Sequence, residues 1–468
     1  MTATDTSTET ARAPRDAPAS PAGPAEGDGR SLAPPPQVAL NRALTTLRMS
    51  VRQIQLVFKA RRELGDVFRI HGYVDDLPAA VTCHPDHVRS LFTADPELAP
   101  SLVGNSALRP VVGPNSVLTA IGPRHMRQRK LLLPAFHGDA VARYRAMIAQ
   151  AADREIDTWP VGRPFALAPR MQAITLDVIM GGIFGIEGSP ARGTPEHGLR
   201  QAIRSLLRLS TLPVAKIAEL TNLRSDEAVG PQAAALAFLD HRVYAVIEAR
   251  RTAERRDDIL SMLLDAETED GDKLTDKEVR DELLTLVLAG HETTANSLAW
   301  AFERLLRTPA AYDRLRESVR SGENAGDYVE ATIYEAMRAR PVVPIIGRTV
   351  TVPWRLGDYC VPAQTPVLIS ILLVHHRDDV YPEPFAFRPE RFLGAKPGTY
   401  TWIPFGGGIR RCLGAALAMA EQRMVLEAIA RRTDLEAPDP RPERARHRNV
   451  TMIPAHGARV VVRSRRAA

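Results

Sequence analysis

The segment Phe405-Gly406-Gly407-Gly408-Ile409-Arg410-Arg411-Cys412-Leu413-Gly414 places a single thiol at the end of a glycine-rich loop. Consecutive glycines let a backbone take positive φ and approach a flat ligand closely. From Leu413 onward the apolar residues Leu413, Leu417, Ala420, Met424 and Ala428 recur at helical spacing, so the thiol stands at a helix N-terminus. There the unpaired N–H groups and the helix dipole favour a thiolate over a thiol. A thiolate with backbone donors around it and Arg410 beside it has the chemistry of an axial sulfur ligand to haem iron. Read alone, the same segment is a glycine-rich turn with an inert cysteine.

Other groupings carry weaker signals of their own. Ala289-Gly290-His291-Glu292-Thr293-Thr294 sets a glycine and two threonines, all poor helix formers, in the middle of a long helical pattern. A helix defect with threonine back-bonding to the preceding turn explains that equally well. Glu335-Ala336-Met337-Arg338 sets an acid and a base three apart on one helix face, a pair worth only about 0.2–0.5 kcal/mol when exposed. His125 and Arg129 lie four apart in a basic stretch that reads first as a solvated face. His291, His375 and His376 are possible iron ligands by type, but none has a haem-binding spacing.

Together these motifs resemble the cytochrome P450 family. Phe405, Gly408, Arg410, Cys412 and Gly414 stand at the spacings of its haem-binding signature. Glu335-Ala336-Met337-Arg338, Pro389-Glu390-Arg391-Phe392 and the cysteine loop follow in the family's order. The resemblance runs from about Val38 to the C-terminus. It implies haem b (iron-protoporphyrin IX) bound through Cys412, with His125, Arg129, Arg348 and Arg410 on the haem propionates. It implies that Ala289 and Gly290 leave room for dioxygen, that Glu292 and Thr293 manage protons, and that Glu335, Arg338 and Arg391 form a buried ion network bracing the haem loop. One departure is Gln364, in a turn where the family commonly has glycine.

The elements that must position these residues follow from pattern. Thr275-Asp276-Lys277-Glu278 is a capping box opening a helix that runs to about Arg307, about 45 Å at about 1.5 Å per residue. A helix to about Leu64, strands at Asp66–Ile70 and Ala79–Thr82, and a helix from Pro85 to Phe92 come first. Asn105–Thr119, with recurring Pro and Gly, reads as a long loop. Most of the chain from there to Arg340 reads as helix, and Arg348–Ser370 as a strand block. The expected fold is an α-rich α+β domain, many helices around a buried haem with small segregated β-sheets.

Composition sets the boundaries. Residues 1–37 are rich in Thr, Ala, Pro and Gly, which predicts a disordered extension ahead of one haem domain over 38–468. Three cysteines exclude a disulfide framework, and also a four-cysteine iron–sulfur cluster, so electrons must come from another protein. A net charge of +6 without a basic block argues against nucleic acid. Without a signal layout or a long apolar run, the expectation is a cytoplasmic monomer with no membrane anchor. The resemblance then implies a monooxygenase using O2 and electrons from a ferredoxin and ferredoxin reductase. By the same resemblance the candidate pocket positions are Asn105–Thr119, Ile203–Ile217, Leu286, Ala289, Val343, Ile345, Met452 and Ile453. They are overwhelmingly apolar and favour a lipophilic substrate. A peroxide-driven peroxygenase and a non-catalytic haem sensor are the alternatives.

Overall fold

The computed structural model describes residues 19–25, 32–71, 78–106, 108–136, 138–186, 190–209, 222, 225, 227–267, 271, 273–322, 325–448 and 450–467. Helices longer than one turn are α1 (Arg42–Leu64), α2 (Pro85–Thr93), α3 (Gly122–Leu132), α4 (Asp139–Asp157), α5 (Ala168–Phe184) and α6 (Pro195–Leu209). They continue with α7 (Pro231–Thr252), α8 (Ile259–Asp265), α9 (Asp276–Leu305), α10 (Pro309–Ser321), α11 (Ala325–Ala339) and α12 (Ala415–Arg432). The strands are β1 (Ala22–Pro24), β2 (Val67–Ile70), β3 (Ala79–Thr82), β4 (Pro164–Ala166), β5 (Ile345–Val350) and β6 (Trp354–Leu356). After them come β7 (Tyr359–Val361), β8 (Thr365–Ser370), β9 (Thr433–Glu436), β10 (Ala445–Arg448), β11 (Thr451–Pro454) and β12 (Arg459–Arg465).

The axis of the molecule is α9. Its start is fixed by the capping box: Glu278 N–H donates to Thr275 Oγ1 (3.2 Å) and Thr275 N–H to Glu278 Oε2 (3.0 Å). Helix α5 packs along it, and α11, α12 and β11 also contact it. The helix is continuous through Ala289–Thr294, so the expected weak centre is not a break. Side chains hold that turn instead: Thr293 Oγ1 donates to Ala289 O (2.7 Å), and Thr175 Oγ1 on α5 donates to His291 O (2.8 Å).

A second apolar core lies under the sheet ordered β2-β3-β8-β5, where β3 and β8 run parallel and the other pairs antiparallel. Smaller sheets are β1-β6-β7, β4-β12-β9 and the β10–β11 hairpin. Gln364 takes the positive φ (61°) of the turn before β8, so the left-handed geometry survives without glycine. The expected long loop is partly ordered, with a 3₁₀ turn at Leu102–Asn105 and one helical turn at Arg109–Val112.

The N-terminal expectation needs correcting. Within 1–37, Ala22–Pro24 forms β1 and pairs antiparallel with β6. Its docking uses backbone and polar groups rather than apolar bulk. Ala25 N–H donates to Pro353 O (2.9 Å), Gly357 N–H to Pro21 O (2.7 Å), and Ser20 Oγ lies 2.9 Å from His87 Nε2. A reading based on apolar content misses that contribution. Cys360 N–H also donates to Ala33 O (3.0 Å) and Arg69 N–H to Pro36 O (2.7 Å), while residues 1–18 and 26–31 of the expected extension lie outside the described residues.

Candidate haem site

The cysteine loop lies at the seam of the two cores. Phe405, beside Trp402 (ring centroids 6.0 Å apart), belongs to the helical side, and Phe92 of α2 to the sheet side. Cys412 N–H donates to Phe405 O (3.0 Å), closing the loop, and Gly406 N–H donates to Ile403 O (3.0 Å). Gly408 has φ 63°, and a Cβ there would meet Phe92 O at 2.1 Å; at Gly407 it would meet the Phe92 ring at 2.1 Å. Both glycines are therefore steric requirements of the seam. Gly414 is different, since nothing lies within 4 Å of a Cβ built there. Its backbone N–H points at the Cys412 sulfur.

Helix α12 starts at Ala415, with Gly414 as its cap, so Cys412 stands before the first turn. The expected thiolate bias is overridden. Burial pushes the Cys412 thiol up, against the Gly414 N–H, Arg129 and Arg411, which favour the anion. Yet Cys412 also has the accessible surface of an exposed residue. Ala289 is likewise exposed, in the middle of an otherwise buried helix. A sulfur in that setting ionises only when a cation takes its charge.

Three arginines and one histidine converge near the loop. Arg348 on β5 is buried, lies 5.8 Å over the Phe92 ring, and donates to Gly347 O (3.1 Å). Arg410 donates to the carbonyls of Val117 (3.3 Å), Leu118 (3.4 Å) and Ala120. His125 sets Nδ1 3.0 Å from Val117 O and Nε2 3.3 Å from Ile409 O. Arg129 donates to Arg411 O (2.7 Å). None of the four has a carboxylate partner among the described residues. Burial pulls Arg348 down to about 10; burial, then Arg348 and Arg129, pull Arg410 to about 10. Burial and then Arg410 also lower His125. Buried positive charge without a counter-anion is the mark of a site for an anionic group. No cluster of three or more His, Cys, Asp or Glu among the described residues could hold a metal ion. A haem, as the resemblance implies, would bind through Cys412 and set its two carboxylates against the arginines.

The remaining site residues are placed as follows. Glu292 turns toward the C-terminal hairpin, accepting from Arg448 Nε (2.8 Å) and Nη2 (2.6 Å) and from Thr451 Oγ1 (3.2 Å). Gly290 does not face the open space: a Cβ there would meet Ile179 Cδ1 at 2.6 Å, so it serves the packing of α5 on α9. Glu335 accepts from Arg338 Nε (2.6 Å) and Nη2 (2.8 Å), from Arg391 Nε (3.2 Å) and from Arg388 N–H (2.8 Å), with all three charged side chains buried.

The family's sequence profile, described as Cytochrome P450, matches residues 33–462. The chain belongs to the cytochrome P450 family. Among its relatives are the Mycobacterium tuberculosis protein named cytochrome P450 137, 36% identical over 454 residues (93% of this chain, 92% of the relative). Another is the Mycobacterium bovis protein named cytochrome P450 135B1, 36% identical over 460 residues, with 93% of both chains covered. The fold is shared with the solved retinoic acid-bound cyanobacterial CYP120A1, at TM-score 0.77, 21% identity and coverage of 92% of this chain and 100% of that one. The heme domain of cytochrome P450DA matches at TM-score 0.77 and 22% identity, covering 93% and 99%. As a cytochrome P450 the chain is a haem-thiolate monooxygenase, and no helix among the described residues is long and apolar enough to cross a membrane.

Sequence reasoning missed several residues of this P450 site. Among the histidines, His375 is a brace: its Nε2 accepts Ile403 N–H (2.8 Å), while Arg338 donates to its carbonyl (2.8 Å). Burial, then Arg338, lower His375 to about 3, so it stays a neutral acceptor. His291 and His376 bond back to Val287 O (2.7 Å) and Leu372 O (2.8 Å). Gln422 of α12 accepts from Ser297 of α9 (2.6 Å) and reaches Met337 of α11 (3.6 Å), joining three helices. Arg448 had no signal beyond a run of arginines. Among the pocket candidates Met452 and Leu286 are buried, Val343, Ile345 and Ile453 half-buried, and 210–217 lies outside the described residues.

Proposed function

We propose that this P450 inserts one oxygen atom of O2 into a C–H or double bond of a lipophilic small molecule. It works as a cytoplasmic monomer with haem b and takes electrons from a separate ferredoxin and ferredoxin reductase. The observation that carries the cofactor assignment is the set of three arginines and His125 around the Cys412 loop, with no carboxylate partner among the described residues. In this reading Cys412 is the iron ligand, and Arg348, Arg410, His125 and Arg129 hold the two propionates. When bound, the haem supplies the activation of dioxygen.

The chain's own residues supply position and protons. Ala289, with its exposed surface and single methyl, keeps space open on α9. Thr293 Oγ1 donates its hydrogen to Ala289 O, which leaves its lone pairs to accept from a water in that space. Glu292 is held by Arg448 and Thr451, so its carboxylate is the end of a route that water completes to Thr293. The apolar candidate lining, with Ile345 and Ile453 half-buried, suits a lipophilic substrate.

The test is turnover with surrogate ferredoxin, reductase and NADH on a substrate found by its Soret shift. Product formation in proportion to NADH consumed is expected. Turnover with hydrogen peroxide alone, and none with the redox chain, would replace this reading with a peroxygenase.

A further inference from the structure

Residues 113–120 connect the Arg109–Val112 turn to α3 and lie against the first half of α9 through a run of polar contacts. Asn115 N–H and Nδ2 both donate to Asp281 Oδ2 (3.2 and 3.0 Å), and Ser116 Oγ lies 2.5 Å from Thr285 Oγ1. Thr119 Oγ1 donates to Gly113 O at 2.5 Å. Between these, Val117 N–H donates to Glu282 Oε1 (2.8 Å). The carbonyl of the same Val117 takes His125 Nδ1 (3.0 Å) and Arg410 Nη1 (3.3 Å). One residue thus has its donor held by a side chain of α9 and its acceptor turned to two of the four site side chains.

Glu282 is an expensive way to hold an amide. It is fully buried, and its second oxygen, Oε2, has no partner. Burial, reinforced by Asp281 and Glu278, raises it to about 8. The carboxyl therefore carries its proton at neutral pH, with Oε1 still able to accept. An apolar side chain of similar size would avoid the cost of an unpaired buried polar atom. What the carboxyl alone provides is the bond to the Val117 N–H, which anchors that residue's backbone, while Leu118 N–H on Ser116 Oγ (3.0 Å) ties the next peptide, the one that carries the Val117 carbonyl.

We infer that Glu282 is a positioning residue for the cofactor: by fixing the Val117 backbone it holds His125 and Arg410 where the haem carboxylates meet them. The inference rests on the proposed role of those two side chains. Rotation about Val117 would take a shared acceptor from both at once, leaving Arg410 on the Leu118 and Ala120 carbonyls and His125 on Ile409 O. Glu282 itself lies outside the family motifs and touches none of the residues assigned to the iron.

The experiment uses the haem-loaded protein and four variants: Glu282→Leu, Glu282→Met, Glu282→Gln and Arg410→Ala. Readouts are the rate of haem transfer to apomyoglobin, the haem reduction potential and the thiolate band of the reduced carbon monoxide complex. Leu and Met should lose haem about tenfold faster, the scale of one misplaced buried hydrogen bond. Their potentials should fall, because cations drawn away from the propionates no longer favour the more negative reduced state. Gln keeps the acceptor and should stay within about twofold of the parent in rate, with its potential restored. A purely structural role would not shift the potential and reverse it with Gln. If Arg410→Ala sheds haem while Leu and Met match the parent, the role of Glu282 is wrong and the propionate reading stands. Should Arg410→Ala also retain haem unchanged, the propionate reading fails and takes this inference with it. Should one apolar variant not fold, the other and the Gln comparison still decide.

Discussion

At the scale of single residues, the site combines a sulfur that does not ionise easily with cations that lack a counter-anion. Each is costly alone, and a dianionic haem whose iron accepts a thiolate relieves both. Cys412→His and Cys412→Ser should therefore lose the strongly red-shifted band of the reduced carbon monoxide complex, since neither side chain gives sulfur charge to iron. Gly408→Ala should yield little haem-loaded protein. A methyl there meets the Phe92 carbonyl oxygen at 2.1 Å and sits on a backbone at φ 63°, and carbonyl oxygens cannot move aside as a side-chain tip can. Cofactor content per folded chain measures this, and normal loading would mean that the loop shifts freely. Thr293→Ala should keep haem and substrate binding but divert electrons to hydrogen peroxide, by several-fold in the peroxide-to-product ratio. Unchanged coupling would remove the hydroxyl from proton delivery.

At the scale of elements, the buried Glu335 network explains how a loop of glycines stays in place. Arg338 grips the His375 carbonyl, His375 accepts Ile403 N–H, and Ile403 O accepts Gly406 N–H, a chain of bonds from α11 to the cysteine loop. Removing one partner strands a buried charge, so Glu335→Leu or Arg391→Met should cost about 3–5 kcal/mol and prevent haem retention. Urea unfolding of the purified variants gives the number. How much of this was legible depends on range. The α9 capping box, the β2 and β3 strands and the cysteine loop are set by neighbours in the chain, and local spacing finds them. Arg448 on Glu292, His375 under Ile403 and Gln422 across three helices are contacts between distant segments, and no local pattern carries them. Gly290 misled because glycine reads the same whether it clears space for a ligand or for Ile179. Strand β1 was hidden because its partners are backbone groups, which sequence composition does not register.

At the scale of the whole molecule, two kinds of charge shape behaviour. Inside, Glu421 of α12 is buried with Oε1 unpaired, and burial lifts it from 4.5 to about 8, as happens to Glu282. Between those values the folded chain keeps protons that the unfolded chain releases, so stability falls as pH rises from about 4.5 to 8. Glu421→Gln should flatten that fall and melt higher than the parent at pH 8, while the two converge near pH 5; equal slopes would show that Glu421 is ionised in place. Outside, the surface beside the cysteine loop is the proposed docking face for the electron donor. A cavity of about 790 Å³ borders the loop, lined by Gly407, Gly408, Lys396 and Arg411 along with Asp327 and Glu330. Arg423, a candidate to meet an acidic partner, is committed to Glu330, whereas the Arg411 side chain is exposed and makes no ion pair among the described residues. With the Arg411 backbone pinned by Arg129, its charge projects from a fixed point next to Cys412. An acidic ferredoxin would be drawn there by long-range attraction that raises its rate of encounter. Salt screens that attraction over about 10 Å at about 0.1 M, so reduction should slow as ionic strength rises. Arg411→Glu should be several-fold slower than the parent at low salt and approach it at high salt, since only the steering differs between them. Stopped-flow reduction across a salt series reads this directly, and equal low-salt rates would move the docking face away from Arg411.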